Sequence, residues 1–142
     1  MNASTLQKYK EFDQTNWSDA DDVESALKIN GLFLVKVSSV LKRDKSLVKL
    51  AVLNTPLAIQ FADDSLKDDL DIAVLACSGD FIAYRYISER LQKDPNIVQI
   101  VFPQFVSFYD YKTTLSPDEY VDVLRQYLLL SPLNKEVESG GS

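Results

Sequence analysis

The chain has 142 residues, of which 46% are apolar and 25% charged, with a formal net charge of −6, no histidine and one cysteine. This length suffices for one domain with a hydrophobic core, and the composition is that of a globular protein. The acidic balance makes direct nucleic-acid binding an unfavourable hypothesis, and the lone Cys77 excludes an internal disulfide. No apolar run approaches the roughly 20 residues that span a bilayer, and no secretory signal begins the chain, so we expect a cytoplasmic protein, of its own cell or of a host.

Residues 1–18 precede the regular part of the chain and are predicted to form an N-terminal cap. Leu6, Tyr9 and Phe12 would share one side of a short helix. Trp17 would then cover the open side of the first regular unit, because the first member of a repeat array has no neighbour on one side.

A period of 25 residues dominates the sequence from 26 to 100. Written in three blocks of 25, these residues align without insertion or deletion, and we call them blocks one, two and three. Such a fixed period is typical of a repeat architecture. Each block opens with alanine and has aspartate at its nineteenth place: Ala26, Ala51 and Ala76, then Asp44, Asp69 and Asp94, with Asp19 one step earlier.

The aspartates predict the start of a first helix in each unit, about ten residues long. An aspartate side chain accepts hydrogen bonds from the free amides of a first turn, and Pro95 follows Asp94 at the favoured first helical position. Apolar residues then recur at helical spacing, which in the second unit gives Leu47, Val48, Leu50, Ala51 and Val52.

A second set of capping residues predicts a second helix, about twelve residues long. Asn30, Thr55 and Asp80 each lie eleven residues after an aspartate cap, and Pro56 follows the second of them. Two helices joined by short turns would fill the 25-residue period.

The sequence therefore predicts a single all-α domain over 1–142, a short right-handed solenoid of antiparallel helix pairs with non-repeat terminal caps. A leucine-rich-repeat-like α/β solenoid is the alternative, since 25 residues also suits that family's period. The predicted parts are an N-terminal cap 1–18, helix-pair repeats 19–43, 44–68 and 69–93, a degenerate repeat 94–114, a C-terminal capping helix 115–130 and a tail 131–142.

The degenerate repeat is where the period decays. Its first helix should meet Pro103, and the place of the second cap holds Phe105, which cannot cap a helix. Residues 102–114 are predicted to be either a degenerate second helix or an extended stretch. Ser116 and Pro117 then predict a fresh helix start.

The residues offer no pattern typical of catalysis or cofactor binding. Histidine is absent, one cysteine cannot make a thiolate metal site, and no glycine-rich phosphate loop occurs. The acidic clusters do not fit a calcium loop. We therefore expect no catalytic residue, no cofactor and no metal.

The repeat pattern resembles the helical-repeat family known as domain of unknown function 4116. Its units contain an aspartate-initiated helix, a turn toward Asn-Gly-x-Leu and a second helix that ends in Leu-x-x-Asp. Here these are matched by Ala26, then Asn30 to Leu32, and Leu41 to Asp44, over residues 19–102 in all. The second and third units depart from the pattern with Thr-Pro and Asp-Phe in place of Asn-Gly. The resemblance implies short helical repeats used as interaction modules and brings no catalytic residues.

We therefore expect a non-catalytic protein-interaction module that binds another protein, in the setting of a regulatory or host-targeting factor of bacterial or phage origin. The alternative is an acidic decoy that occupies a nucleic-acid-binding site on a partner. Block one carries +5 and block two −4, which gives either a solvated surface or a basic band for an acidic partner. The candidate binding residues are Val35, Lys36, Leu53, Val74, Arg85 and Tyr86. Val35, Leu53, Val74 and Arg85 belong to the polar arcs of the predicted helices, and Lys36 and Tyr86 hold one repeat place in blocks one and three.

Overall fold

The computed structural model describes residues 14–109, 119 and 122–126. These residues form helices and connecting turns and include no β-strand, which confirms the all-α prediction and leaves the α/β alternative unsupported. In chain order the elements are α1 (Ala20–Ile29), the 3-10 helices η1 (Gly31–Lys36) and η2 (Leu41–Arg43), α2 (Lys45–Asn54), η3 (Pro56–Phe61), α3 (Asp64–Lys67), α4 (Leu70–Gly79), η4 (Phe81–Tyr86), α5 (Glu89–Gln92) and α6 (Pro95–Tyr109).

The helices α1, α2 and α4 are the predicted first helices, and each has ten residues. Asp19, Asp44 and Asp69 cap them, and each carboxylate accepts a hydrogen bond from the backbone N–H three residues later, at 3.0, 3.1 and 3.2 Å. The predicted caps are therefore confirmed at all three positions.

The predicted second helix of twelve residues is wrong. Each unit instead has a six-residue 3-10 helix, a break and a second helix of three or four residues. The predicted caps Asn30 and Asp80 accept from the N–H two residues on, at 2.9 and 3.0 Å, and thereby start a 3-10 helix, whereas the Thr55 side chain makes no capping bond. The break leaves Val37, Ala62 and Ile87 in extended conformation.

Backbone hydrogen bonds between units explain the break. The N–H groups of Ser38, Asp63 and Ser88 donate to the carbonyls of Trp17, Lys42 and Lys67, each 21 residues earlier, at 2.9, 3.1 and 3.0 Å. An amide inside a continuous α-helix would donate to the carbonyl four residues before it and could not make this bond. The side chains of Asp63 and Ser88 then cap the short helix that follows, and accept from Ser65 N–H at 3.0 Å and Leu91 N–H at 3.3 Å. The Ser38 hydroxyl accepts from Leu41 N–H at 3.4 Å.

The C-terminal long helix also differs from the prediction, because α6 continues through Pro103 to Tyr109. Proline removes one backbone donor, yet the helix is held on both sides of it by the fully buried Val101 and Phe105. The Gln104 amide adds two hydrogen bonds of 2.9 Å, to the carbonyls of Ile100 and Cys77. Residues 110–114 of the predicted degenerate repeat lie outside the described residues.

Small residues set the close packing of the long helices. Ala26, Ala51 and Ala76, the first places of the blocks, are fully buried where α1 packs on α2 and α2 on α4, and Ala51 and Ala76 belong to one continuous core. Gly31 is required by the same close approach, since a Cβ there would lie 2.1 Å from the Ala51 carbonyl oxygen. Cys77 is likewise buried in this core, as the sequence indicated.

Both predicted caps are partly described. The Trp17 ring is half-buried 5.8 Å from the ring of Phe33, and the Lys36 ammonium lies 5.8 Å from the centre of the Trp17 ring. At the other end, residues 119 and 122–126 are helical, and Leu124 is fully buried in the core. The predicted cap residues 1–13, the rest of 115–130 and the tail 131–142 lie outside the described residues.

Gln92 holds the place of Trp17, Lys42 and Lys67 in the third unit, and the residue 21 positions after it lies outside the described residues. Its carbonyl accepts the Tyr84 hydroxyl at 2.6 Å, and its side-chain amide donates to the Tyr84 carbonyl at 3.1 Å. Both side chains are buried, and desolvation raises the pKa of Tyr84 well above its usual range. Tyr84 therefore satisfies an acceptor that a backbone amide satisfies in the other units.

We expect Tyr84→Phe to lower the free energy of unfolding by about 1–3 kcal/mol, because the buried Gln92 carbonyl loses its donor. Chemical denaturation followed by circular dichroism measures this change. Tyr86→Phe is the matched control, since the Tyr86 ring is only half-buried, and it should change stability far less. Equal losses in the two variants would contradict this assignment.

A polar cluster links the second and third units around Asp68. Its carboxylate accepts from the Ser88 hydroxyl at 2.5 Å and from Arg90 Nε at 2.9 Å, and Arg90 also donates to the Asp68 carbonyl at 2.8 Å. The Ser88 hydroxyl first and the Arg90 guanidinium second lower the pKa of Asp68. A carboxyl whose pKa is lower in the folded than in the unfolded state stabilises the fold above its unfolded pKa.

This stabilisation should disappear as the pH falls below about 4 and through the folded pKa of Asp68. We expect Asp68→Asn to be less stable than the wild type at pH 7 and to approach wild-type stability near pH 3. Denaturant midpoints at both pH values test this. Asp64→Asn is the control, because the Asp64 side chain is fully exposed, and a similar pH response in that variant would refute the role of Asp68.

Candidate protein-binding groove

A groove of about 700 Å³ runs along α4 between α2 and α6, and we call it the α4 groove. Its floor belongs to α4, which packs against α2 on one side and α6 on the other. The residues that line it are Lys45 and Lys49 of α2, Leu70, Asp71, Val74 and Leu75 of α4, and Asn96, Gln99 and Ile100 of α6.

The groove arises because one repeat place holds side chains of different length in neighbouring units. That place is Lys49 in α2, Val74 in α4 and Gln99 in α6, so two long polar side chains flank a short apolar one. One turn earlier, Lys45 of α2 corresponds to Leu70 of α4. Because the three helices pack side by side, these differences in length leave a depression with an apolar floor.

The floor is apolar surface that contacts solvent. Leu70 is 37% exposed, and Val74, Leu75 and Ile100 are half-buried against the core. On α2, Leu53 is 60% exposed and lies one turn beyond Lys49 on the same side of the helix. Apolar side chains collected in a concave place are typical of a binding site, whereas scattered ones are normal on any surface.

The charge at the α2 wall is only partly compensated. Lys45 Nζ lies 2.9 Å from an Asp71 carboxylate oxygen and 3.0 Å from one of Asp69, and these hydrogen bonds, that to Asp71 first, raise the pKa of Lys45. Lys49 makes no ion pair within the described part of the chain. Asn96 and Gln99 on the opposite wall are neutral, so the groove has one uncompensated positive side.

The six candidate binding residues fall on two separate surfaces. Leu53 and Val74 lie on the exposed side of α2 and α4, and Val74 is a lining residue of the α4 groove. The other four lie on 3-10 helices and do not line the α4 groove. Val35 and Lys36 are exposed on η1. Arg85 and Tyr86 are half-buried on η4, where the Arg85 guanidinium lies 5.2 Å from the centre of the Tyr86 ring.

Sequence reasoning missed most of the groove. Leu70 directly follows the cap Asp69, and Lys49 is one of six basic residues in block one, so the sequence singles out neither. Leu75 and Ile100 hold a recurring apolar place, which favours a core position, but they are only half-buried. The usable signal was a comparison of one repeat place across units, because the alternation of long and short side chains is what creates the depression.

No group of three or more metal-ligating His, Cys, Asp or Glu side chains occurs among the described residues. The Cys77 thiol is fully buried, and desolvation raises its pKa to about 12, which makes it a poor nucleophile. Within the same residues, every helix is too short or too polar to cross a membrane.

Comparison with known proteins identifies the repeat. A search of curated proteins and a search of solved structures each found no match. The family model described as "Domain of unknown function (DUF4116)" matches twice, at residues 19–67 and 44–92. The two matches begin at the caps Asp19 and Asp44, are offset by one 25-residue period and together cover just over half of the chain. The chain therefore belongs to the DUF4116 family.

Proposed function

We propose that the chain is a non-catalytic protein-interaction module and that the α4 groove is its binding site. The observation that carries the proposal is an apolar floor, formed by Leu70 and Val74, that lies open to solvent between two polar walls. Burial of such surface in a partner is the main driving force of protein association.

The size of the groove supports this proposal. A volume of about 700 Å³ accommodates a few side chains of a partner, and lies within the ~300–1,000 Å³ range of pockets that bind ligands. The polar walls supply orientation, through Lys49 on one side and the amides of Asn96 and Gln99 on the other. An apolar centre with a polar rim is the usual arrangement of a protein interface.

We propose that the units stack as a short right-handed solenoid, and the recurrent hydrogen bonds from Ser38, Asp63 and Ser88 to the preceding unit support this. In such an array the long helices would present one extended surface that includes the α4 groove. The proposed setting is cytoplasmic, as a regulatory or host-targeting factor of bacterial or phage origin.

The acidic-decoy alternative has less support from the charges. A decoy needs carboxylates that are free to imitate phosphates, but several in block two are paired within the chain. Asp63 lies 3.6 Å from Arg43, and Asp68 is bound by Arg90. Asp69 and Asp71 share Lys45. Protein binding through an apolar groove is therefore the stronger proposal.

We expect Val74→Asp to abolish capture of the partner, because it places a charge on the apolar floor. The measurement is affinity capture by the full chain from a lysate of the native cell or its host, with quantitative mass spectrometry. Val35→Asp is the matched control: Val35 is 48% exposed and outside the groove. Proteins captured by the wild type and Val35→Asp, but not by Val74→Asp, would support the proposal.

Two other outcomes would refute the α4 groove as the binding site. Capture lost with Val35→Asp and kept with Val74→Asp would move the site to η1 and refute the α4 groove. Capture that neither variant changes would refute both surfaces. Circular dichroism must show native helix content in each variant.

We expect Leu53→Asp to change the free energy of unfolding by no more than about 0.5 kcal/mol, because Leu53 is exposed.

A further inference from the structure

We infer that the occupant of the α4 groove is a short amphipathic helix of a partner protein, with an apolar side on Leu70 and Val74 and a carboxylate facing Lys49. This inference rests on the proposed function and adds the chemistry of the partner. It follows from the backbone of the groove, from the length of its floor and from the charges of its walls.

The backbone of the groove favours a helical occupant over an extended one. The residues that line it belong to α2, α4 and α6, and beyond the first turn of each helix the backbone amides are engaged within that helix. No sheet edge is present there to pair with an added strand. A partner segment buried in the groove must therefore satisfy its own backbone hydrogen bonds, which a helix does and an extended strand does not.

The floor has the length of a short helix. Leu70 and Val74 are one turn apart on α4, and the helix itself has ten residues, or about 15 Å at a rise of about 1.5 Å per residue. Two to three turns of a partner helix lying along α4 would cover this distance. Such a helix would contact the floor with apolar residues spaced three and four apart.

The walls determine the charge of the occupant. On the α2 wall, the Lys45 ammonium is already held by Asp69 and Asp71 within 3.0 Å. Lys49 is the remaining cation of that wall, and no described carboxylate pairs with it. Leu53 follows one turn later on the same side of α2. The partner helix should therefore carry an acidic residue beside its apolar side, followed by another apolar residue.

A cationic partner fits this groove less well. The acidic side chain among the lining residues is Asp71, and its carboxylate is engaged at 2.9 Å by Lys45. A positively charged helix would have to displace that ammonium and would also meet the unpaired Lys49. Like charges brought together in a partly desolvated groove oppose association.

The test is selection of helical peptides against the full chain. The probe is a displayed library of 14-residue alanine-based helices. Leucine is fixed at positions spaced three and four apart. The flanking positions carry glutamate, lysine or serine with equal frequency. We expect glutamate to be enriched on one flank. The enriched peptides should bind Lys49→Glu about tenfold more weakly, and replacement of their flanking glutamate by lysine should restore binding to that variant.

Lys42→Glu is the matched control, because it makes the same change of charge outside the groove at a lysine that also makes no ion pair in the described part of the chain. It should leave peptide affinity within about twofold of the wild type at 0.15 M salt. Peptides that lose affinity equally with both variants would overturn the inference, since the effect would then be one of net charge alone.

The remaining outcomes separate the inference from the proposed function. Enriched peptides that fail to bind Val74→Asp but show no preference for glutamate would overturn the inference and leave the groove as a binding site. Peptides whose binding does not depend on Val74 would overturn both. A dimer of the full chain in sedimentation that Val74→Asp dissociates would assign the groove to a second copy and overturn the partner helix.

Discussion

The hydrogen bond between the backbones of successive units is the interaction on which the rest of this structure depends. It joins the N–H of Ser38, Asp63 or Ser88 to a carbonyl 21 residues earlier. To make it, each unit must leave the α-helical path after its 3-10 helix, and the break then starts a new short helix. The bond thus fixes where each unit turns and how it docks on the previous one. Because it uses only backbone atoms, the accepting places can hold residues as different as Trp17 and Lys67.

What could be predicted from the sequence follows from this division between side chains and backbone. The aspartate caps are side-chain interactions, so a recurring aspartate predicts where α1, α2 and α4 begin. The break has a signal in the sequence, since Ser38, Asp63 and Ser88 are all residues of a capping type at one repeat place. The apolar spacing through Leu34 and Val37 fits a continuous helix as well as a broken one, so periodicity alone could not decide.

The α4 groove is less predictable because it depends on differences between units rather than on what they share. Val74 stood out as an apolar residue on a polar arc, and the structure places it in the groove. Val35 stood out for the same reason and lies on a separate exposed surface. A single helix viewed by itself cannot distinguish these two cases. The depth of the groove comes from Lys49 and Gln99 on the neighbouring helices, which only the packing of α4 between them brings together.

The charge contrast between blocks one and two has a use inside the chain. Arg43 and Lys45 of block one pair with Asp63, Asp69 and Asp71 of block two, so opposite charges meet where the two blocks pack. Each exposed pair contributes little to stability, about 0–1 kcal/mol, but a shifted register would set them out of reach. The pairing also engages the ammonium of Lys45, which is one of the two cations on the α2 wall of the groove. Any electrostatic selectivity at the α4 groove must then come from the cation that this pairing leaves over, and in the described part of its wall that cation is Lys49.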